Sequence, residues 1–212
     1  AVRIRLGSLE PRTITEEFCR RAAALPNLCP QFHLSMQSGC DDTLKRMNRK
    51  YDTTRYAQSV ALLNQYFDHP AVTTDLITGF PEETEEEFAQ TLDFIRRCGF
   101  AQMHIFPYSV RPGTPAAKMD DPVSHKEKAR WMAELLALQE QISAEQMQLH
   151  RGETFKCFVS GKGKLGDNYV AARTDGNLII EFEGDDSLIG SFQNVKVIEP
   201  LTYVLRGELE RN

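Results

Sequence analysis

Residues 71–99 read AVTTDLITGFPEETEEEFAQTLDFIRRCG, and they contain a strand, a turn and a helix in that order. The first part is rich in β-branched residues, which favour strands. The acidic run Glu85–Glu87 suits the positive end of a helix dipole, and Arg96-Arg97 suits the negative end. Gly99 is a typical residue just past a helix. The stretch therefore predicts one βα unit of a parallel sheet.

The same alternation extends to both sides of this unit. The predicted strands are Val2–Leu6, Phe32–Met36, Val72–Thr78 and Met103–Phe106, and the predicted helices are Thr13–Leu25, a short helix ending at Met47, Thr53–Phe67, Thr84–Cys98 and His125–His150. Strands that alternate with helices predict an α/β fold with a parallel sheet and right-handed crossovers. We therefore expect a first domain that covers residues 1–150.

The pattern changes after Arg151. Short strand-like runs follow one another closely and are separated by glycines: Thr154–Ser160, Tyr169–Ala172, Leu178–Glu183, Ser191–Glu199 and Thr202–Leu205. Five short strands in this spacing predict a small all-β barrel, as a second domain over residues 151–212.

The composition is that of an ordinary globular protein, with 41% hydrophobic and 26% charged residues in 212. The formal net charge of −5 excludes a polycation that binds nucleic acid by charge alone. The longest apolar stretches are too short to cross a membrane, so no membrane partner is predicted. Five scattered cysteines predict no disulfide framework and indicate a reducing, cytoplasmic location. Because the chain begins inside a predicted strand, we expect it to be part of a longer protein.

The unusual residues follow the predicted strands. Ser8 to Pro11, Gln37 to Gly39, Thr78 to Pro81 and Tyr108 to Pro115 each come directly after one of them. Functional residues in parallel α/β folds lie at the carboxyl ends of the strands. These four segments are also rich in ordinary turn residues, so each of them alone is better explained as a plain loop. Together they predict a site at this edge of the sheet.

Four segments resemble the methylthiotransferase branch of the radical S-adenosylmethionine (radical SAM) superfamily. They are RLGSLEP from Arg5, HLSMQSGC from His33 with LKRMNRKY from Leu44, TTDLITGFPEET from Thr73, and FPYSVRPGTPA from Phe106. In order, they are similar to the third to sixth strands of that family's partial (β/α) barrel. The terminal β-barrel resembles the TRAM domain that ends these enzymes. The resemblance covers nearly the whole chain.

The resemblance implies an enzyme that adds a methylthio group to C2 of a hypermodified adenosine in tRNA. A 4Fe–4S cluster on a C-x-x-x-C-x-x-C loop would cleave S-adenosylmethionine to a radical, and a second cluster would take part in sulfur insertion. We expect the threonylcarbamoyladenosine type, which acts next to the anticodon, with the tRNA anticodon stem–loop as partner. The open alternatives are the isopentenyladenosine and ribosomal-protein types, a non-catalytic RNA-binding module, and another radical SAM enzyme such as a porphyrinogen oxidase.

The sequence departs from the family pattern at two points. It contains no C-x-x-x-C-x-x-C loop, so we expect this chain alone to hold no cluster and to be inactive. It also has Glu82 where the family has Gly, which puts in doubt any contact that needs a left-handed backbone there. Glu83 is then expected to cap the next helix.

By resemblance, S-adenosylmethionine is expected to bind six residues, which are Glu10, Ser35, Gln37, Arg49, Gly79 and Phe80. The carboxylate and polar groups suit the amino group and ribose of the cofactor, and Arg49 suits its carboxylate. Gly79 would let the backbone approach the adenine closely. The competing interpretations are a helix-entry role for Glu10 and a solvated helix face for Arg49.

The predicted RNA contacts are basic and aromatic residues: Tyr108, Arg111, Lys156, Lys162, Lys164, Tyr169 and Arg173. Aromatic and guanidinium groups stack on unpaired bases. From Arg151 onward there are eight Lys and Arg against ten Asp and Glu, so binding is expected to be weak and salt-dependent. The open edges of a half barrel, at Val2–Leu6 or near Phe106, also predict possible self-association.

Overall fold

The computed structural model describes residues 2–210, so the outermost residues of the two predicted domains lie outside the described residues. In this range a four-stranded sheet is followed by a closed five-stranded barrel. The helices are α1 (Glu16–Ala23), α2 (Asp41–Arg46), α3 (Thr53–Tyr66), α4 (Glu85–Cys98) and α5 (His125–Gln148). The strands are β1 (Ser8–Leu9), β2 (Gln31–Leu34), β3 (Ala71–Thr78), β4 (Gln102–Pro107), β5 (Thr154–Lys162), β6 (Tyr169–Arg173), β7 (Ile179–Glu183), β8 (Phe192–Pro200) and β9 (Leu205–Leu209).

The first sheet is parallel throughout, with its strands in sequence order β1-β2-β3-β4. One face is apolar and packs under the helices, where Phe32, Leu34 and Leu76 are completely buried. The opposite face carries polar side chains because residues alternate between the two faces of a strand. The predicted α/β architecture is confirmed.

Local signals explain where the helices begin and end. Thr84 and Glu87 form a reciprocal capping box at the start of α4, and Gly99 ends the helix in a left-handed conformation. Ser124 and Glu127 form a second capping box at the start of α5. Both helices therefore begin where the sequence predicted them to within one residue.

α5 connects the two parts of the molecule. Near its start, Trp131 stacks on Phe88 of α4, with the ring centroids 4.8 Å apart. In the middle, the side-chain oxygen of Gln139 accepts the Met103 N–H of β4 at 2.6 Å. Near its end, Met147 packs into the core of the barrel. The single helix thus supports both hydrophobic cores.

The barrel closes in the order β5-β6-β7-β9-β8, around a core of small and branched residues. Gly207 of β9 lies so close to its neighbours that an added Cβ would be 2.5 Å from Val195 Cγ1. The predicted last strand, Thr202–Leu205, is placed too early, since β9 begins at Leu205. The predicted domain boundary falls between α5 and β5, and the division itself stays a prediction.

The predicted first strand is wrong. Within the described part of the chain, residues 2–6 make one isolated bridge, between Ile4 and Leu28, and the strand begins at Ser8. The alternating arginines are used differently: Arg3 donates to the carbonyl oxygens of Arg173 and Lys156, and Arg5 donates to those of Thr174 and Asp175. The two arginines, whose alternation predicted a strand, therefore hold this segment against the barrel through hydrogen bonds.

Two smaller differences concern the starts of helices α1 and α2. α1 is shorter than predicted because Thr15, not Thr13, caps it and residues 11–13 form a 3₁₀ turn. α2 is capped at Cys40, and Asp41 instead accepts the Thr53 N–H at 2.7 Å. Among residues 2–210, no helix has the length and apolar character that crossing a bilayer requires.

Candidate functional site

The carboxyl ends of the four parallel strands meet along one edge of the sheet. Glu10 follows β1, Ser35 follows β2, Gly79 follows β3 and Tyr108 follows β4. The strand order makes consecutive segments neighbours, so that the Tyr108 N–H donates to the carbonyl of Thr78 at 2.8 Å. We refer to this line of segments as the carboxyl edge.

Tyr51 lies at the part of this edge between β1 and β2. Its hydroxyl donates to the carbonyl oxygens of Ser35, at 2.7 Å, and Met36, at 3.2 Å. Burial raises the pKa of Tyr51 to about 12, while the charge of Arg49 lowers it and that of Glu10 raises it. Charges act on a phenol in this way at short range, so Glu10 and Arg49 both lie near Tyr51. Three of the predicted ligand residues, Ser35, Arg49 and Glu10, are therefore near one phenol.

Two of these residues offer hydrogen-bonding groups to a ligand. Arg49 is half-buried, and its Nε has no hydrogen-bond partner within residues 2–210. Buried polar atoms are rarely left without a partner, and a guanidinium is suited to a carboxylate. The Ser35 hydroxyl lies 2.8 Å from the Ser8 hydroxyl, and Ser8 is exposed. The group thus presents a carboxylate, a guanidinium and two hydroxyls.

Gln37 is held between the ends of β2 and β3. Its backbone is left-handed, with φ 71°. Its N–H donates to the Asp75 carbonyl, and its own carbonyl accepts the Ile77 N–H, both at 2.9 Å. These two bonds fix the residue beside β3, so the segment that follows β2 is rigid rather than a free loop.

The turn after β3 is organised by a buried carboxylate. Glu83 is 4% exposed, and its Oε2 accepts the N–H groups of Gly79, at 2.7 Å, and Phe80, at 3.1 Å. Burial raises the pKa of Glu83 to about 7, against the lowering effect of those two bonds. The expectation that Glu83 caps α4 is wrong, because Thr84 does so. Glu82 has φ 64°, so the left-handed conformation is kept although the residue is not Gly.

Lys128 of α5 covers this turn, and the sequence did not point to it. A Cβ on Gly79 would lie 2.6 Å from Lys128 Cγ, so the stem of the lysine fills the space above the glycine. Its ammonium donates to Asp121 at 2.5 Å and lies 5.6 Å from the centre of the Tyr108 ring. Phe80 meets the same ring edge-on, with centroids 5.2 Å apart. A ligand that approaches the Gly79 backbone must therefore come from the side that Lys128 leaves open.

Two hydroxyls at the ends of β3 and β4 are left without partners. Thr78 Oγ1 and the Tyr108 hydroxyl are buried and have no hydrogen-bond partner in the described range. A buried hydroxyl without a hydrogen-bond partner costs roughly 1–3 kcal/mol in stability. Two such hydroxyls therefore indicate a place where water or a ligand binds.

The polar face of the sheet leads to the same edge. His33 Nε2 is 3.3 Å from Asp75 Oδ2, and His33 Nδ1 is 3.1 Å from the Thr73 hydroxyl. The ring of His104 on β4 lies 6.0 Å from that of His33. Beyond them, Phe106 is 52% exposed. This face combines hydrogen-bonding groups with an aromatic ring.

The predicted RNA residues fall at two ends of the molecule. Gly176 lies against Ala71 at the start of β3, so the barrel is beside the amino-terminal ends of the sheet strands. We refer to this side of the sheet as the amino edge. Tyr108 and Arg111 are past the end of β4. The two groups are thus separated by about the length of a six-residue strand, roughly 20 Å.

Within the barrel, the predicted RNA residues differ in their surroundings. Lys162 is paired with Asp186 at 3.0 Å, and the guanidinium of Arg173 donates to Asn177. Lys164 and Tyr169 lie at the turn between β5 and β6. Lys156 is exposed on the outer face of β5.

A crevice of about 650 Å³ lies between the amino edge and the barrel, with His69, His150 and Glu153 among its lining residues. None of the thirteen predicted site residues lines it. We place the candidate site at the carboxyl edge because three buried polar atoms without partners in residues 2–210, on Arg49, Thr78 and Tyr108, and the grouped ligand residues are there.

The cysteines do not fit an iron–sulfur cluster. Among residues 2–210, no group of His, Cys, Asp and Glu could hold a metal ion. Burial raises the pKa of Cys98 and Cys157 to about 12, and it also raises the pKa of Cys19. A cluster needs several thiolates gathered at one place, and the cysteines of residues 2–210 are not grouped in this way.

Residues 3–95 match the radical SAM superfamily model. The chain is also similar to coproporphyrinogen III oxidase from Escherichia coli, described as a radical SAM enzyme, with a TM-score of 0.55 over 82% of this chain and 46% of that one. The sequence identity is 16%, so this likeness concerns the fold. The family model supports the predicted radical SAM family, and the structural likeness supports the predicted α/β fold.

Curated relatives extend the similarity through the barrel. The tRNA-2-methylthio-N(6)-dimethylallyladenosine synthases of Alkaliphilus oremlandii and Thermoanaerobacter pseudethanolicus are each 38% identical over 207 residues, which is 98% of this chain and 44% of the relative. The enzyme of the same name from Clostridium botulinum strain Langeland is 35% identical over 97% of this chain and 46% of the relative. The chain thus spans less than half the length of these relatives. They support the predicted methylthiotransferase family, and they carry the isopentenyl-type name rather than the threonylcarbamoyl one.

Proposed function

We propose that this chain is part of a radical SAM enzyme that adds a methylthio group to an adenosine of tRNA. The observation that carries the proposal is the similarity over nearly the whole chain to enzymes named for this reaction. The carboxyl edge is compatible with it, because it offers charged and polar groups to a small zwitterion. The methylthiotransferase activity belongs to the whole protein.

S-adenosylmethionine is the proposed ligand of the carboxyl edge. Its carboxylate would bind Arg49, whose Nε is unpaired, and its amino group would bind Glu10. Ser35, Gln37, Gly79 and Phe80 would hold the ribose and adenine. In this family the bound cofactor supplies a radical that abstracts hydrogen. The cysteines of this chain do not fit the 4Fe–4S cluster, so we assign no step through a cluster to these residues.

The proposed substrate is N6-dimethylallyladenosine, also called isopentenyladenosine, in the tRNA anticodon stem–loop. This replaces the expected threonylcarbamoyladenosine, because the relatives named above are dimethylallyladenosine enzymes.

The cytoplasm is the proposed location. The barrel, from about residue 151 onward, is proposed to be a TRAM-like RNA-binding domain.

The open sheet edge at β4, near Phe106, is also proposed to pair with a second copy of the chain, whereas the other predicted edge, Val2–Leu6, makes one isolated bridge within the described range and is no longer proposed. Light scattering across protein concentration tests this. A rise in mass is expected, and a constant monomer mass would contradict it.

A binding comparison tests the substrate proposal. Three synthetic anticodon stem–loops of one sequence would carry dimethylallyladenosine, threonylcarbamoyladenosine or plain adenosine, and their affinities for the chain would be measured with S-adenosylmethionine present. We expect the dimethylallyl form to bind most tightly. Preference for the threonylcarbamoyl form would restore the original expectation, and equal affinity for all three would favour a non-catalytic RNA-binding module.

A further inference from the structure

The outer face of the barrel carries a row of four side chains, of which Lys156 and Arg173 were predicted RNA contacts and the two phenylalanines were not. Phe158 on β5 is directly paired with Arg173 on β6 and with Phe192 on β8. Residues paired in this way point to the same side of the sheet, with side chains in contact. Lys156 lies on the same face of β5, two residues before Phe158. We call these four residues the aromatic platform.

The two rings of the platform lie at the surface, where Phe158 is exposed and Phe192 is half-buried. Their centroids lie 5.2 Å apart, and Phe158 is 37% exposed although it belongs to a regular strand. The neighbouring positions Cys157 and Val159 point inward and are completely buried. An aromatic pair on the outside of a closed barrel adds nothing to its core, so its exposure indicates a binding surface.

Positive charge surrounds these rings. The Arg3 guanidinium lies 4.9 Å, and the Lys156 ammonium 5.7 Å, from the centre of the Phe192 ring. Arg173 is exposed on the other side of Phe158. One carboxylate, Asp175, is close and is paired with Arg3 at 2.5 Å. The surroundings are therefore basic even though the barrel as a whole is slightly acidic.

We propose that the aromatic platform binds unpaired RNA bases by stacking them on Phe158 and Phe192, while Lys156 and Arg173 contact the flanking phosphates. This inference deepens the proposed function, since it names the RNA surface of the same enzyme. Aromatic rings beside cations are the combination by which small barrels hold single-stranded nucleic acid. An apolar protein partner would not use the cations in this way.

The test measures the affinity of the chain for a fluorescent anticodon stem–loop at several salt concentrations. Phe158→Ala and Phe192→Ala are each expected to weaken binding by about 5- to 150-fold, the range of losing one stacked base. Phe158→Leu keeps the apolar volume and should weaken binding almost as much as alanine. Tyr203→Ala is the matched control, because Tyr203 is an aromatic residue of the barrel region that is 56% exposed outside the platform.

Lys156→Ala should lower affinity for all RNA sequences and reduce the salt dependence by about one phosphate contact. The proposal is overturned if both alanine variants bind within twofold of the unchanged chain, or if Phe158→Leu binds as well as the unchanged chain, which indicates a merely apolar contact. Absence of RNA binding by the unchanged chain at low salt would also overturn it. That result would leave the proposed reaction standing, because analysis of nucleosides from cells decides the reaction separately.

Discussion

Replacement of Glu83 by glutamine is expected to stabilise the protein in a pH-dependent way. The carboxyl of Glu83 is buried, and its pKa is about 7, compared with 4.5 for the free group. A raised pKa means that the folded state binds the proton more tightly than the unfolded state. Its contribution to stability is therefore complete below pH 4.5 and is lost as the pH rises to 7.

The size of this effect follows from the two pKa values. Their difference corresponds to roughly 3 kcal/mol in the free energy of unfolding above pH 7. Glutamine carries no charge, and its carbonyl oxygen can accept both turn N–H groups because both bind the same carboxylate oxygen. Glu83→Gln should thus equal the unchanged chain in stability near pH 4.5 and exceed it by up to about 3 kcal/mol at pH 8.

Urea denaturation of both proteins between pH 4.5 and 8.5 measures this difference. Glu86→Gln, on the exposed first turn of α4, is the control and should change stability by less than about 0.5 kcal/mol at each pH. A Glu83→Gln protein that is no more stable than the unchanged chain at pH 8 would refute the reasoning. It would show that the carboxylate is stabilised, not destabilised, by its surroundings.

Three further substitutions are expected, in turn, to stabilise the protein, to destabilise it and to weaken cofactor binding. Glu82→Gly removes a side chain from a left-handed position and should stabilise by about 1 kcal/mol, seen as a rise in Tm of roughly 2–4 °C. Gly79→Ala should destabilise by about 1–3 kcal/mol in urea denaturation, since φ is +69° and the new Cβ would collide with Lys128. Arg49→Ala should weaken S-adenosylmethionine binding by calorimetry about tenfold or more, because it removes a charged hydrogen-bond donor.

Two of these substitutions have a matched control variant. Glu86→Gly, inside α4, should destabilise, whereas Glu82→Gly, in the turn before that helix, should stabilise. A stabilising Gly79→Ala would show that the turn is not packed as described. Lys50→Ala, an exposed neighbour of Arg49, should leave cofactor affinity unchanged. Equal loss in the Lys50 and Arg49 variants would indicate a general charge effect instead of a binding site.

The parts of the fold that local sequence controls were predictable. Dipole-matched charges and Gly99 located α4, apolar residues at helical spacing located α5, and β-branched residues located β3. Val2–Leu6 was misjudged because an alternating pattern does not show what its arginines will bind. Their partners are carbonyl oxygens of the barrel, about 170 residues away in sequence.

The candidate site was predictable only in its position. The carboxyl edge follows from strand order, but the grouping around Tyr51 depends on how the chain returns after α2. Lys128 reaches Gly79 from a helix that begins more than forty residues later. The aromatic platform depends on the register of three strands, which hydrophobic alternation does not specify.

Nucleoside analysis of total tRNA is the most direct test of the proposed function. The gene that encodes this chain would be disrupted in its source organism, and the tRNA nucleosides would be separated and weighed by mass spectrometry. We predict that 2-methylthio-N6-dimethylallyladenosine disappears, that N6-dimethylallyladenosine accumulates, and that methylthiolated threonylcarbamoyladenosine is unchanged. An unchanged level of the methylthio-dimethylallyl nucleoside would contradict the account.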